Sequence, residues 1–262
     1  MLEWLSLPFG QFLPQNLSAL GLAMVWGQKA NLSSLQYQMF RSTGLVHLLV
    51  LSGQNITLLV GFLNILARRA GRRLQTLITL AVALFYLVVF GNEPPIIRAS
   101  LMAMLSAMAF SLQSPTLPLF LLGLTSLLML AWQPSWIHSL SFQLSFGATL
   151  GILVFYPFLV SRFKPQRFWQ DPIFLSLSAQ IFTTPLLLLN FRELPLLTLP
   201  INVLAAALVE PIMVLGVSLS LFGNLFPPLA PLLSLGLFGF LSLLEGLVSI
   251  VYPLSLKLTL RI

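Results

Sequence analysis

Apolar runs long enough to cross a lipid bilayer recur along this chain, and they fix its solvent before any other feature is considered. Residues 44–66, 74–91, 140–160, 172–191, 196–222 and 228–251 each meet or approach the length needed. A helix needs about 20 mainly apolar residues to cross a hydrocarbon core of roughly 30 Å. Two shorter runs, 98–112 and 117–132, either span with help from neighbours or stay half-buried. Together they predict about eight spans. With 58% hydrophobic residues, 7% charged residues and a mean hydropathy of +0.97, the chain lies outside the range of ordinary soluble domains. The expected fold is an all-α polytopic membrane protein with broken or short helices.

The formal net charge of +7 comes from 13 Lys and Arg against 6 Asp and Glu. On a soluble protein this balance would suggest a nucleic-acid surface. In a membrane protein it has a plainer origin, because Lys and Arg gather in cytoplasmic loops. Arg68, Arg69, Arg72 and Arg73 form one cluster, and Arg162, Lys164 and Arg167 form another. Four expected spans separate them, so both fall on one face, the cytoplasmic one, and residues 1–43 begin on the outer side. The absence of cysteine excludes disulfides, zinc–thiolate sites and iron–sulfur clusters.

Residues 1–43 read as an amphipathic interfacial lead-in to a single membrane domain over 44–262. Within it, 17–40 mix apolar and polar groups too often for a span, with Leu22, Val25 and Trp26 able to share a face.

Polar residues inside the apolar runs mark packing contacts or a site. In "GLVHLLVLSGQNIT", a continuous helix would hold His47 and Ser52 about 140° apart. A break at Ser52-Gly53 would change this, since glycine reaches backbone angles outside the helix. Unwound backbone at membrane depth is tolerated where it is packed in protein or lines a watery cavity. Gln54, Asn55 and Thr57 would supply neutral donors and acceptors there. Alternatively, Ser and Gly allow close helix approach and the amides bond across helices. In "NEPPIIRASLMAML", Arg98 lies in line with Met102 and Ser106; it snorkels to the interface or faces a cavity suited to an anion. Gln143 and Ser145 fall early in the span over 140–160, ahead of Gly147 and Gly151, a GxxxG pair. In "LPINVLAAALVEP", Asn202, Ala205, Ala206 and Val209 form a small-residue face, and Glu210-Pro211 is expected to interrupt the helix. A buried Glu210 would be paired or protonated.

These stretches together resemble the ComEC competence family. The similarity begins with "FRSTGLVHLLVLSGQNITLLVGF" and continues through "IIRASLMAML", "PSWIHSLSFQLSFGATLGIL", "TTPLLLLNF" and "LPINVLAAALVEPIM". Each motif is weak or moderate alone, but five in order, covering roughly residues 18–220, are specific. The resemblance implies a membrane-embedded competence domain that passes single-stranded transforming DNA into the cytoplasm across the bacterial plasma (inner) membrane. Two departures stand out. Asn55 occupies a position where many relatives have His, which replaces a titratable group with an amide. The soluble oligonucleotide-binding-like and metallo-β-lactamase-like domains of longer members are not found in these 262 residues. With only Asp171, His47 and His138 as its Asp and His residues, this stretch cannot assemble a two-metal nuclease. Any nuclease is expected as a separate domain or protein.

The electrostatics suit a DNA path. A strand with dense negative charge needs a route free of acids that offers weak, repeated contacts, and apart from Glu210 the spans from 44 to 222 carry no acid. Ser52, Gln54, Asn55, Gln143 and Asn202 would contribute neutral donors, and Arg98 positive potential. No nucleotide-binding loop occurs, so a cytoplasmic motor or strand-receiving protein would supply the drive. A homo-oligomer is compatible with this reading. No cofactor, metal or catalytic residue is expected. Ser52 and His138 could be cast as an intramembrane serine protease pair, but "VLSG" lacks the preceding Gly-x of the rhomboid type, and HExxH is absent. The rival reading is a secondary transporter of a small anionic solute, which broken helices and a lone arginine suit as well.

Overall fold

The computed structural model describes residues 2–49, 53–114, 117–164, 170–191, 193–195, 197–257 and 259–261. It is an all-α protein with one minimal ribbon. In chain order the helices are α1 (Leu2–Phe12), α2 (Gln15–Trp26), α3 (Ser34–Ser42), α4 (Gly53–Leu66), α5 (Arg72–Phe90) and α6 (Pro94–Ser111). They continue with α7 (Pro118–Trp132), α8 (Leu140–Phe163), α9 (Gln170–Phe191), α10 (Thr198–Leu225) and α11 (Ala230–Lys257). The chain divides into two units, one combining residues 1–51 with 193–261 and the other comprising 52–192.

Six helical stretches among the described residues are long and apolar enough to cross a membrane: 72–90, 94–111, 140–163, 170–190, 200–225 and 227–257. Residues 55–65 and α7 are shorter apolar helices. The expected eight apolar segments are thus present, but two differ in kind. The run over 44–66 is not a single span: a 3-10 turn covers Val46–Leu49 and an α-helix begins at Gly53. The expected break at Ser52 falls in 50–52, outside the described residues. In contrast, 98–112 belongs to a full-length span, because Pro94 and Pro95 occupy the first helical turn, where a missing N–H costs nothing.

In the first unit, α10 and α11 form an antiparallel hairpin closed by the 3-10 turn Pro227–Leu229. At its open end β1 (Glu193–Pro195) pairs antiparallel with β2 (Thr259–Arg261), Leu194 lying opposite Leu260. Glu210-Pro211 does not interrupt α10, which runs through to Leu225. A proline inside a membrane helix is tolerated where neighbours and local adjustment satisfy the freed carbonyl. The segment over 1–43 runs the length of this hairpin. Near its start, Asn224 Nδ2 donates to the Trp4 carbonyl at 2.7 Å, close to the C-terminal end of α10. At its finish, Gly44 (φ +80°) presses on Thr198 at the N-terminal end, where a side chain would have no room. Of the expected amphipathic lead-in, α3 has a one-sided face, with Gln36 and Phe40 buried and a capping box at Ser33. By contrast, α2 is buried on every side from Leu17 to Trp26. Its apolar residues therefore pack on protein.

In the second unit, α5 and α6 form a hairpin whose far ends meet where the Arg72 guanidinium lies 5.2 Å from the Phe110 ring centre. Helices α8 and α9 form another hairpin around the GxxxG pair. A Cβ at Gly147 would lie 3.3 Å from Phe182, and one at Gly151 would strike the Ser178 carbonyl. The pair therefore works as a packing motif that brings two backbones together.

Candidate functional site

The second unit gathers three of the expected site residues from three helices. Gly53 opens α4, Arg98 lies one turn into α6, and Ser145 lies in the second turn of α8. Arg98 Nε donates to Ser145 Oγ at 2.8 Å, and its Nη1 approaches Met102 Sδ at 3.7 Å. The Arg98 Cζ lies 6.0 Å from the Phe146 ring centre. The expected Arg98–Met102 alignment is thus a direct contact across one helical turn.

Gly53 is required for a different reason from the one its sequence context suggests. It is the first residue of α4 and does not adopt a left-handed φ. What it provides is room: a Cβ there would lie 2.8 Å from both Arg98 Nη2 and the Ala99 Cβ. The guanidinium therefore sits directly against the start of α4. A helix N-terminus carries roughly half a positive charge, so facing it with a cation is unfavourable unless an anion joins them. Among the described residues no ion pair joins Arg98 to a carboxylate. Two positive features thus meet at one point beside a hydroxyl.

The other expected residues take separate places. Asn55 is 5% exposed, in the first turn of α4. Gln54 also belongs to α4, but its side chain lies outside the described residues, as does all of Ser52. Gln143 turns to its own neighbourhood, where Nε2 donates to the Ile137 carbonyl at 2.8 Å and closes the preceding 3-10 turn. The remaining three residues belong to the first unit. His47 is exposed within its 3-10 turn, with Nδ1 3.1 Å from the Gly44 carbonyl. Asn202 is half-buried on α10, and its Oδ1 has no hydrogen-bond partner among the described residues. The expected small-residue face is partly realised: Ala205 and Val209 are buried and Ala206 is exposed. Glu210 is exposed, so the expectation of a buried acid there is not met.

Sequence reasoning missed a second polar cluster, in the first unit. Glu245 on α11 accepts a hydrogen bond from Asn16 Nδ2 on Oε2 and one from Gln36 Nε2 on Oε1, both at 2.8 Å. The signal was present: an acid in the middle of the apolar run over 228–251. Among the described residues no group of three or more His, Cys, Asp or Glu side chains is placed to hold a metal ion.

Fold and site together define a polytopic helical membrane protein with a partly buried arginine inside one of its spans. The chain belongs to the competence protein family, whose model matches residues 24–259. It is 38% identical over 142 residues to an uncharacterized protein of Aquifex aeolicus (strain VF5), covering 53% of this chain and 34% of that protein. It is 24% identical over 230 residues to ComE operon protein 3 of Bacillus subtilis (strain 168), covering 82% of this chain and 28% of that protein. The chain thus spans about a third of the length of the curated relatives it matches. No solved structure matches it.

Proposed function

We propose that this chain forms the membrane-embedded path by which single-stranded DNA enters the cytoplasm during natural competence. Membership of the competence protein family supports a role in DNA uptake. The observation that carries the path itself is the Arg98 guanidinium against the first residue of α4, without a carboxylate partner among the described residues. Phosphate is the ligand this geometry suits: helix N-terminal N–H groups and a guanidinium both donate to anionic oxygens. The neutral residues Ser145 and Asn55 would keep each contact weak enough for the strand to move on. Ser52 and the Gln54 side chain lie outside the described residues, and among the described residues no contact assigns His47, Gln143, Asn202 or Glu210 to this path, so the proposal rests on Gly53, Arg98 and Ser145. We place the protein in the bacterial plasma membrane with its Arg68–Arg73 and Arg162–Lys164 segments on the cytoplasmic face. A motor or strand-receiving protein and a nuclease would act there as separate domains or partners.

The test is Arg98→Gln against Arg98→Lys in a naturally transformable host. Arg98→Gln should lower DNA uptake at least tenfold with unchanged membrane abundance, as expected for losing one charged hydrogen-bond donor worth about 1.5–3 kcal/mol. Arg98→Lys should retain part of the uptake. Parallel loss of protein and uptake would show a structural arginine. Unchanged uptake, together with lost accumulation of a small anion, would favour the transporter reading.

A further inference from the structure

Two short helices enter the first unit as a hairpin that stops halfway. With 11 and 12 residues, α1 and α2 reach about 17 and about 18 Å, half of what a span needs. Both are anchored at their open ends near the C-terminal end of α10. The Trp4 carbonyl meets Asn224, and Trp26 Nε1 donates to Ser220 Oγ at 2.8 Å. The tip, where Asn16 begins α2, reaches Glu245 on α11. Glu245 lies fifteen residues after Ala230 and twelve before Lys257, hence about 22 and about 18 Å from the ends of its helix. The hairpin therefore delivers its tip to the middle of a long span.

The carboxylate there is held by neutral groups. The Ser33 N–H donates to Gln36 Oε1 at 3.3 Å, which fixes the amide so that Nε2 faces Glu245. Both carboxylate oxygens accept from side-chain amide N–H groups. Those two bonds leave about half of the carboxylate's four lone-pair positions free. Among the described residues no lysine or arginine pairs with it. A cavity of about 550 Å³ opens beside it, lined by Asn16, Met39, Phe238, Ser242, Glu245 and Ser249 among others. Pro14, Gln15 and Asn16 at the tip are exposed. Irregular backbone at membrane depth must face water or protein, so water can reach this cavity or a partner covers it.

We propose that Glu245 and this cavity bind a monovalent alkali cation. One carboxylate supplemented by Ser242 and Ser249 oxygens is too little charge for a divalent ion, which collects several oxygen ligands with more than one carboxylate among them. It matches a single positive charge, and that charge would neutralise an acid stranded in a membrane span. The inference stands on the first unit alone and does not depend on the DNA path.

The experiment uses the full chain purified in detergent, with thermal unfolding followed in NaCl, KCl or N-methyl-D-glucamine chloride at equal ionic strength and ²²Na⁺ binding measured in parallel. A saturable rise in Tm with Na⁺ or K⁺ over N-methyl-D-glucamine is expected. Glu245→Gln should abolish that rise and the bound ²²Na⁺, and Glu210→Gln should preserve both. Equal Tm in all three salts, or normal cation binding by Glu245→Gln, would overturn the proposal. Should Glu245→Gln fail to fold, Ser242→Ala provides the decision. A weakening of about tenfold in cation affinity supports the site, and unchanged affinity refutes it.

Discussion

Arg98 in the second unit and Glu245 in the first are both charged side chains inside a span, and they are held in opposite ways. Among the described residues Arg98 has one hydroxyl at 2.8 Å, a thioether and a ring face for company, and these engage fewer than half of its five N–H donors. Glu245 has both oxygens engaged by amides delivered from α2 and α3. A charge with spare donors suits a polyanion that must pass. A charge clasped on both oxygens suits a small ion that stays. Composition alone would have ranked them alike, as two intramembrane charges; the number and kind of their partners separates them.

The sharpest way to break this contrast is to fill the space against Arg98. Gly53→Leu should abolish DNA uptake, because even its Cβ would lie 2.8 Å from Ala99, which has no flexible arm to withdraw. Overpacking of this kind costs about 1–3 kcal/mol in a well-packed interior, and the guanidinium would also be displaced. Transformation frequency with membrane abundance as control reads the result. Wild-type uptake by Gly53→Leu would remove Gly53 from the site and with it the meeting of α4 and Arg98.

A smaller effect is expected two residues further on. Asn55 is 5% exposed, and a buried amide must be hydrogen-bonded. Asn55→Leu should lower stability by about 1–3 kcal/mol, since its partner would be left unsatisfied. Asn55→His restores the residue common at this position in the family it resembles and keeps a polar group, so uptake and detergent Tm should both be retained. Equal tolerance of Leu and His would mean that position 55 contributes only volume.

What the sequence made legible follows from the range of the interactions involved. The long spans, the Arg98–Met102 contact and the Gly147/Gly151 packing face are set by apolar content and by spacing along one helix, and all could be read directly. Gly53 was identified as special, but for its backbone freedom; its true constraint comes from Arg98 and Ala99, which only the tertiary structure brings to it. Glu210-Pro211 looked like a break because proline removes one donor, yet α10 continues through it. The α1–α2 hairpin was misread: its helices are too short for a span signal, and residues 17–40 looked amphipathic and interfacial although α2 is buried on every side. Glu245 was visible as an acid in an apolar run, but its partners Asn16 and Gln36 lie 229 and 209 residues away. No local pattern could connect them.

The finest test removes one neutral partner from each charge. Among the described residues Ser145→Ala deletes the one oxygen to which Arg98 donates, and Asn16→Ala deletes one of the two amides on Glu245. Arg98 keeps its charge and its other donors, so Ser145→Ala should cost uptake only a few-fold, about 0.5–1.5 kcal/mol for one hydrogen bond. The loss should appear as weaker single-strand binding with no change in membrane abundance. Glu245 keeps the Gln36 amide after Asn16→Ala, and the freed oxygen gains a lone pair for an ion. Cation affinity should therefore change little, while detergent Tm falls slightly because the hairpin tip loses its anchor. The two variants should thus separate cleanly, Ser145→Ala moving a ligand measurement and Asn16→Ala moving a stability measurement. Should Ser145→Ala instead lower Tm and leave strand binding intact, the arginine would be a packing element. The difference between the two units would then be one of architecture and not of ligand.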